Sequence, residues 1–209
     1  MPFRALSFVF LLLVMGSAEA EAGAGRHALD RFLDGLVTLQ AKFEQSVLDT
    51  ENATSGKMYG LFLLQRPGHF RWDYVAPRKQ VILADGRDVW FIEEELKQVT
   101  RHLQKWALKG SPVAFMTTES SVDKDFEIVE IGERQGLQWL ELIPRDPESD
   151  LDRVLLAFDG AQLQRMELRD KFGQISRLTF SDVQRNQPID PNLFVYQGED
   201  DWDVLNVDR

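Results

Sequence analysis

The sequence predicts an α+β fold built on one large antiparallel sheet of about ten strands. Three observations predict it. Runs of strand-forming residues recur from position 57 to position 183, with turn residues between them. Two of those turns carry hairpin dipeptides, Asp85-Gly86 and Asp159-Gly160. Helical spacing is confined to the N-terminal part and to a short stretch beginning at Pro112. A sheet of that size curls, and curling around a helix leaves a concave face.

The chain begins with Arg4, an apolar run from Phe8 to Met15, and Ala18-Glu19-Ala20. That order is a secretory signal peptide cut after Ala20, and the run is too short to cross a bilayer. Residues 1–20 are therefore expected to be a signal peptide, and 21–209 a single domain. Over residues 26–50, Leu29, Phe32, Leu33, Leu36, Leu39, Phe43 and Val47 recur three and four apart, which predicts one long amphipathic helix. Residues 51–56 read as a polar turn. Residues 57–65 read as a strand with apolar side chains on both faces, hence covered on both sides.

Next comes Arg66-Pro67-Gly68-His69-Phe70-Arg71-Trp72-Asp73-Tyr74. Pro67-Gly68 is a turn. Phe70, Trp72 and Tyr74 occupy every second position, so a strand sends them to one face and Arg71 and Asp73 to the other. Strands are predicted at 80–83 and 88–92, with a short one at 98–100. Ser111 followed by Pro112 is a helix start, an N-cap with Pro at the first helical position. It predicts a short helix over 112–117 that carries Val113, Phe115 and Met116. This helix lies in a long interruption between strands, where lids are found. Five more strands are predicted at 126–131, 137–143, 152–158, 162–168 and 174–183. Phe194-Val195-Tyr196 reads as a last short strand, and the acidic tail from Gly198 is left unassigned.

With 34 acidic and 24 basic residues the net charge is −10, which argues against nucleic acid and anionic membranes as partners. At 44% hydrophobic and 11% aromatic the chain is nonetheless globular. The absence of cysteine excludes disulfides, a thiol nucleophile, thiolate metal sites and an acylated N-terminal cysteine. His27, His69 and His102 have no metal-ligand spacing, and no nucleophile elbow, phosphate loop or dinucleotide fingerprint occurs. No catalytic residue, metal or cofactor is expected. What remains is apolar surface. Phe62, Phe70, Trp72, Tyr74, Trp90 and Phe91 fit either a filled core or the wall of a ligand cavity, and by residue type the filled core is the commoner outcome. Arg66 fits either a solvated turn or a contact to another segment.

Gly56-Lys57-Met58, the stretch from Arg66 to Tyr74, Pro77, Gln80, the stretch from Asp85 to Trp90 and Leu96-Lys97-Gln98-Val99-Thr100 together resemble the LolA family of periplasmic lipoprotein carriers. Asp170-Lys171-Phe172-Gly173-Gln174, Asn186 and Phe194 extend the resemblance over nearly the whole chain after residue 20. It is most specific in the first half. It implies an unclosed antiparallel β-barrel of about ten or eleven strands, with a helical lid over the concave face. It implies a soluble, monomeric periplasmic chaperone that binds the acyl chains of outer-membrane lipoproteins. Such a carrier is loaded by an inner-membrane ABC transporter and unloads onto an outer-membrane receptor. On that reading Arg66 locks a lid formed near Pro112, Val113, Phe115 and Met116. Phe70 lies at the cavity, and Phe62, Trp72 and Trp90 are further candidates for its wall. The stretch from Gln197 to Val204 departs from the family by lacking a proline and adding acid. Two alternatives stay open: a carrier for another lipid or hydrophobic ligand on the same fold, and an exported hydrolase with unrecognised residues.

Overall fold

The computed structural model describes residues 23–48, 54–118, 121–198 and 201–207. The expected signal peptide lies outside the described residues. Helix α1 (Ala24–Leu33) comes first. It is followed by β1 (Thr38–Leu48), β2 (Thr54–Gln65), β3 (His69–Ala76), β4 (Gln80–Asp85), β5 (Asp88–Glu93) and β6 (Gln98–Leu103). Three short helices interrupt the strands: α2 (Gln104–Ala107), α3 (Pro112–Thr117) and α4 (Val122–Asp125). Then come β7 (Phe126–Arg134), β8 (Leu137–Pro144), β9 (Leu151–Asp159), β10 (Gln162–Asp170), β11 (Ile175–Arg185) and β12 (Asp203–Val207).

The strands form one sheet in the order β12-β6-β5-β4-β3-β2-β1-β11-β10-β9-β8-β7. The first eleven pair antiparallel with their neighbours, and β12 joins β6 in parallel. β1 and β11 sit side by side in the middle, so the two halves of the chain meet there. The edges, β12 and β7, do not pair, and the barrel stays unclosed.

Two elements differ from the sequence expectation. The helix expected over 26–50 stops at Leu33, and β1 takes over. Asp34 is extended and Gly35 has φ of 59°, a conformation that glycine adopts without steric cost. After it, Leu39, Ala41 and Phe43 point inward while Gln40 and Lys42 point out, a period of two. Leu36, Leu39 and Phe43 satisfy helical spacing as well, and pairing with β2 and β11 decides between the two. The strand expected at 194–196 is instead the end of a 3-10 turn (Pro191–Phe194), started by the Asp190 side chain accepting from the Asn192 amide. The last strand, β12, comes from the acidic tail.

Side chains from alternate positions divide between two clusters. The larger lies on the inner face and joins Leu39, Phe43, Phe62, Phe70 and Trp72 to Leu140, Leu156 and Phe180 under α1 and α3. The smaller lies on the outer face, where Phe194 packs on Leu63, Val81 and Leu83. The two-sided cover expected for β2 is thus present at Leu63, while Tyr59 and Leu61 on the same face remain exposed. Gly60 keeps the inner face close-packed. A Cβ there would lie 2.6 Å from the Phe43 ring, which instead lies against Trp72 and Tyr74.

Candidate functional site

The site begins with α3. The Ser111 Oγ accepts from the Val113 amide at 3.3 Å, and Pro112 starts the helix, as the sequence predicts. Val113, Phe115 and Met116 are buried against the inner cluster, and the Phe115 ring meets Phe126 edge-on at 5.8 Å. A helix end leaves carbonyls without intrahelical partners. Here Arg66 meets them: Nε donates to the Met116 carbonyl at 2.8 Å and Nη2 to that of Phe115 at 3.4 Å. Nη1 reaches the Leu33 carbonyl at the end of α1, also at 3.4 Å. The planar guanidinium is suited to several carbonyls at once, which a lysine ammonium is not. In the turn after Arg66, the Gly68 amide donates to the Thr117 carbonyl at 2.9 Å. Gln104, at the start of α2, steadies that turn by donating to the Gly68 carbonyl and accepting from the Gly86 amide.

Beneath α3 the aromatic strand grades from sealed to open. Phe70 is 2% exposed, Trp72 is 8% exposed and Tyr74 is half-buried. Trp72 packs on Phe62 at 4.3 Å and on Phe43 at 4.9 Å. The Tyr74 hydroxyl donates to Gln45 Oε1 at 2.8 Å, and burial pushes its pKa up to about 12. A cavity of about 310 Å³ opens beside Trp72 and Tyr74. Ile82, Met166, Leu168 and Leu178 floor it, and Pro112 and Val113 form its roof.

Of the residues proposed from sequence, Arg66, Pro112, Val113, Phe115, Met116, Phe62, Phe70 and Trp72 come together on the inner face. Trp72 touches the cavity; Phe62 and Phe70 are buried behind it. Trp90 is a correction. On β5 it is Val89 and Phe91 that face inward, so Trp90 points to the outer face. There it stacks on Tyr196 at 4.7 Å and donates to Asp85 Oδ2 at 2.8 Å. Sequence reasoning leaves Tyr74 undecided and does not single out Met166, Leu168 or Leu178. Their alternation on β10 and β11 is visible, but nothing in it says which strands sit opposite β3. A further contact escapes it too: Arg26 of α1 grips Asp123 of α4 with both terminal nitrogens, at 2.7 and 2.8 Å.

The arrangement can hold alkyl groups by non-directional contact beneath a short helix. Among the described residues no cluster of His, Cys, Asp or Glu could hold a metal ion, and no helix is long and apolar enough to cross a membrane. Residues 34–197 match the family described as "Outer membrane lipoprotein carrier protein LolA". The chain belongs to the LolA family. The LolA match takes in Arg66, the aromatic strand and α3, and leaves out α1 and β12. The chain is 35% identical to an outer-membrane lipoprotein carrier protein of Methylococcus capsulatus, over 98% of this chain and 99% of that one. It is 34% identical to one of Nitrosomonas europaea, over 96% and 98%. Among solved structures, an uncharacterized conserved protein of Thermus thermophilus shares the fold at a TM-score of 0.55 and 11% identity, covering 89% of this chain and 99% of that one.

Proposed function

We propose that this protein is a periplasmic chaperone that carries the acyl chains of outer-membrane lipoproteins between the two membranes. The observation that carries the reading is an apolar inner face closed by a short helix whose end carbonyls are held by one arginine, Arg66. A lipoprotein anchor has three acyl chains, on the order of 45 methylenes at about 0.8 kcal/mol each. Exposing them to water is prohibitive, so transit needs an enclosed apolar chamber. Release is also required, and non-covalent affinity saturates near roughly −18 to −21 kcal/mol. A wall of aliphatic and aromatic side chains without directional contacts suits both demands, because it accepts any such anchor and need be no better for it than a membrane.

The cavity of about 310 Å³ is at the lower end of the roughly 300–1,000 Å³ that hold one small ligand. Three chains need α3 to lift. Lifting it removes Val113, Phe115 and Met116 from the inner cluster, and the acyl chains take their place. The hydrogen bonds from Arg66 favour the closed, empty state and so favour unloading. On this reading an inner-membrane ABC transporter supplies the work of extraction from that membrane, as the family membership suggests. An outer-membrane receptor accepts the cargo.

The test is to recover the processed protein from cells and identify what it carries. A triacylated lipoprotein in one-to-one complex is the expected result. Finding only free phospholipid or fatty acid would replace the lipoprotein role with that of a carrier for another lipid.

A further inference from the structure

The segment that covers the inner face is held unequally at its two ends. At the Arg66 end, backbone carbonyls of Leu33, Phe115, Met116 and Thr117 are all engaged by Arg66 or Gly68. The opposite end, residues 107–113, faces the loop between β8 and β9. The ion pair there is Lys109 with Asp146, at 2.8 Å, with both side chains reaching solvent. Beside it Gly110, with φ of 72°, lies against Ser149. An exposed ion pair of this kind holds weakly and is screened by salt. The cavity beside Trp72 reaches this end, where Lys109, Gly110 and Ser111 line it together with Ser149, Asp150 and Leu151.

We propose that the closed protein already binds one alkyl chain, admitted between residues 107–113 and the loop at 146–151, while the Arg66 contacts stay made. The chain lies along Trp72, Ile82, Met166, Leu168 and Leu178, which are apolar and present no charge to it. The space suits one chain and not three. Loading is then a sequence: the first chain enters by the weak end, and only the later chains require α3 to leave Arg66. The inference rests on the carrier reading for the source of the chain and not for the site itself.

The protein has no cysteine, so a single pair can be introduced cleanly. A Cβ at Gly110 would lie 3.2 Å from that of Ser149, a few tenths of an ångström inside the roughly 3.5–4.5 Å span of a disulfide, so a small shift of the exposed loop lets the double variant Gly110→Cys, Ser149→Cys form one. The probe is a fluorescent monoacylglycerol, a neutral single-chain lipid. The unmodified protein should bind it saturably at one per molecule. The oxidised double variant should lose that binding, and reduction should restore it. Throughout, the Gly68 amide should keep its protection from hydrogen exchange, because its bond to Thr117 persists. Undiminished binding by the oxidised variant, no binding by the unmodified protein, or loss of Gly68 protection at saturation would each overturn the proposal. Cysteine at a positive φ is strained, so Asp146→Asn provides a second route. It should raise the association rate about two- to fivefold at low salt and leave it unchanged at high salt; no rate change at low salt counts against the gate. Triacylated lipoprotein that loads while the single-chain probe does not would sink this inference and leave the carrier reading. The reverse pattern would sink the carrier reading and leave the site.

Discussion

Each face of the sheet carries an apolar patch covered by a piece of the same chain held by an arginine. On the inner face Arg66 donates to the carbonyls of α3. On the outer face Arg71 donates to the Leu193 carbonyl at 3.1 Å, in the 3-10 turn that seats Phe194. The difference lies underneath. Phe194 is 1% exposed and plugs the hollow formed by Leu63, Val81 and Leu83. α3 instead roofs a cavity of about 310 Å³ lined by alkyl and aromatic groups. One space beside that plug is bordered by Arg71, Glu94 and Asn192 as well as by Val81, Leu83 and Ile92, so charged and amide groups stand among its apolar ones. Apolar strands and an arginine clasp therefore do not by themselves make a ligand site. On the proposed reading, what makes one is unfilled apolar volume beneath a cover that lifts.

On that contrast, changes at the Phe194 plug should cost stability and spare loading, and changes at the Arg66 clasp should chiefly impair delivery. The largest effect is expected from Phe194→Ala, about 3–5 kcal/mol of unfolding free energy. Denaturant melts would measure it, and the folded fraction should still load normally. Next is Arg66→Leu, which removes charge-assisted hydrogen bonds of about 1.5–3 kcal/mol. The variant should take up lipoprotein but deliver it at least tenfold less well, since about 1.4 kcal/mol is a factor of ten. Normal delivery in a transfer assay would show that Arg66 does not set the closed state.

Two smaller effects sharpen the boundary between frame and lid. Arg26→Ala should cost about 0.5 kcal/mol, because its pair with Asp123 is exposed and screened despite the two-pronged geometry. It should leave delivery unchanged if α1 belongs to the frame. The Tyr74 pKa is raised by burial to about 12, above its ordinary 10.0. A raised value means that the neutral hydroxyl stabilises the fold fully below pH 10 and that this is lost as pH rises toward 12. The loss of stability over that window should be smaller in Tyr74→Phe.

Much of this was legible in the chain. Turn chemistry at Pro67-Gly68, Asp85-Gly86 and Asp159-Gly160 placed hairpins correctly, and Ser111-Pro112 placed the start of α3. Alternation gave the two faces of β3. Three things were not legible, each because long-range pairing decides them. Leu36, Leu39 and Phe43 fit a helix as well as a strand until β2 and β11 flank them. Trp90 looks like the other large aromatics, yet the register of β5 against β4 sets Phe91 beside Ile82 inside and Trp90 beside Leu83 outside. The tail carries Asp203 among Val204, Leu205 and Val207, too weak a pattern to assign, and the edge of β6 gives it a partner.

The two tryptophans offer the most direct test. A photo-crosslinking amino acid placed at Trp72 or at Trp90 in the exported protein, followed by irradiation of living cells, reports what each face touches. Capture of acylated lipoproteins from position 72 and not from position 90 is the predicted result. Capture from position 90 alone, or none from position 72 in a variant that folds and is exported, would contradict the claim that the inner face carries the cargo.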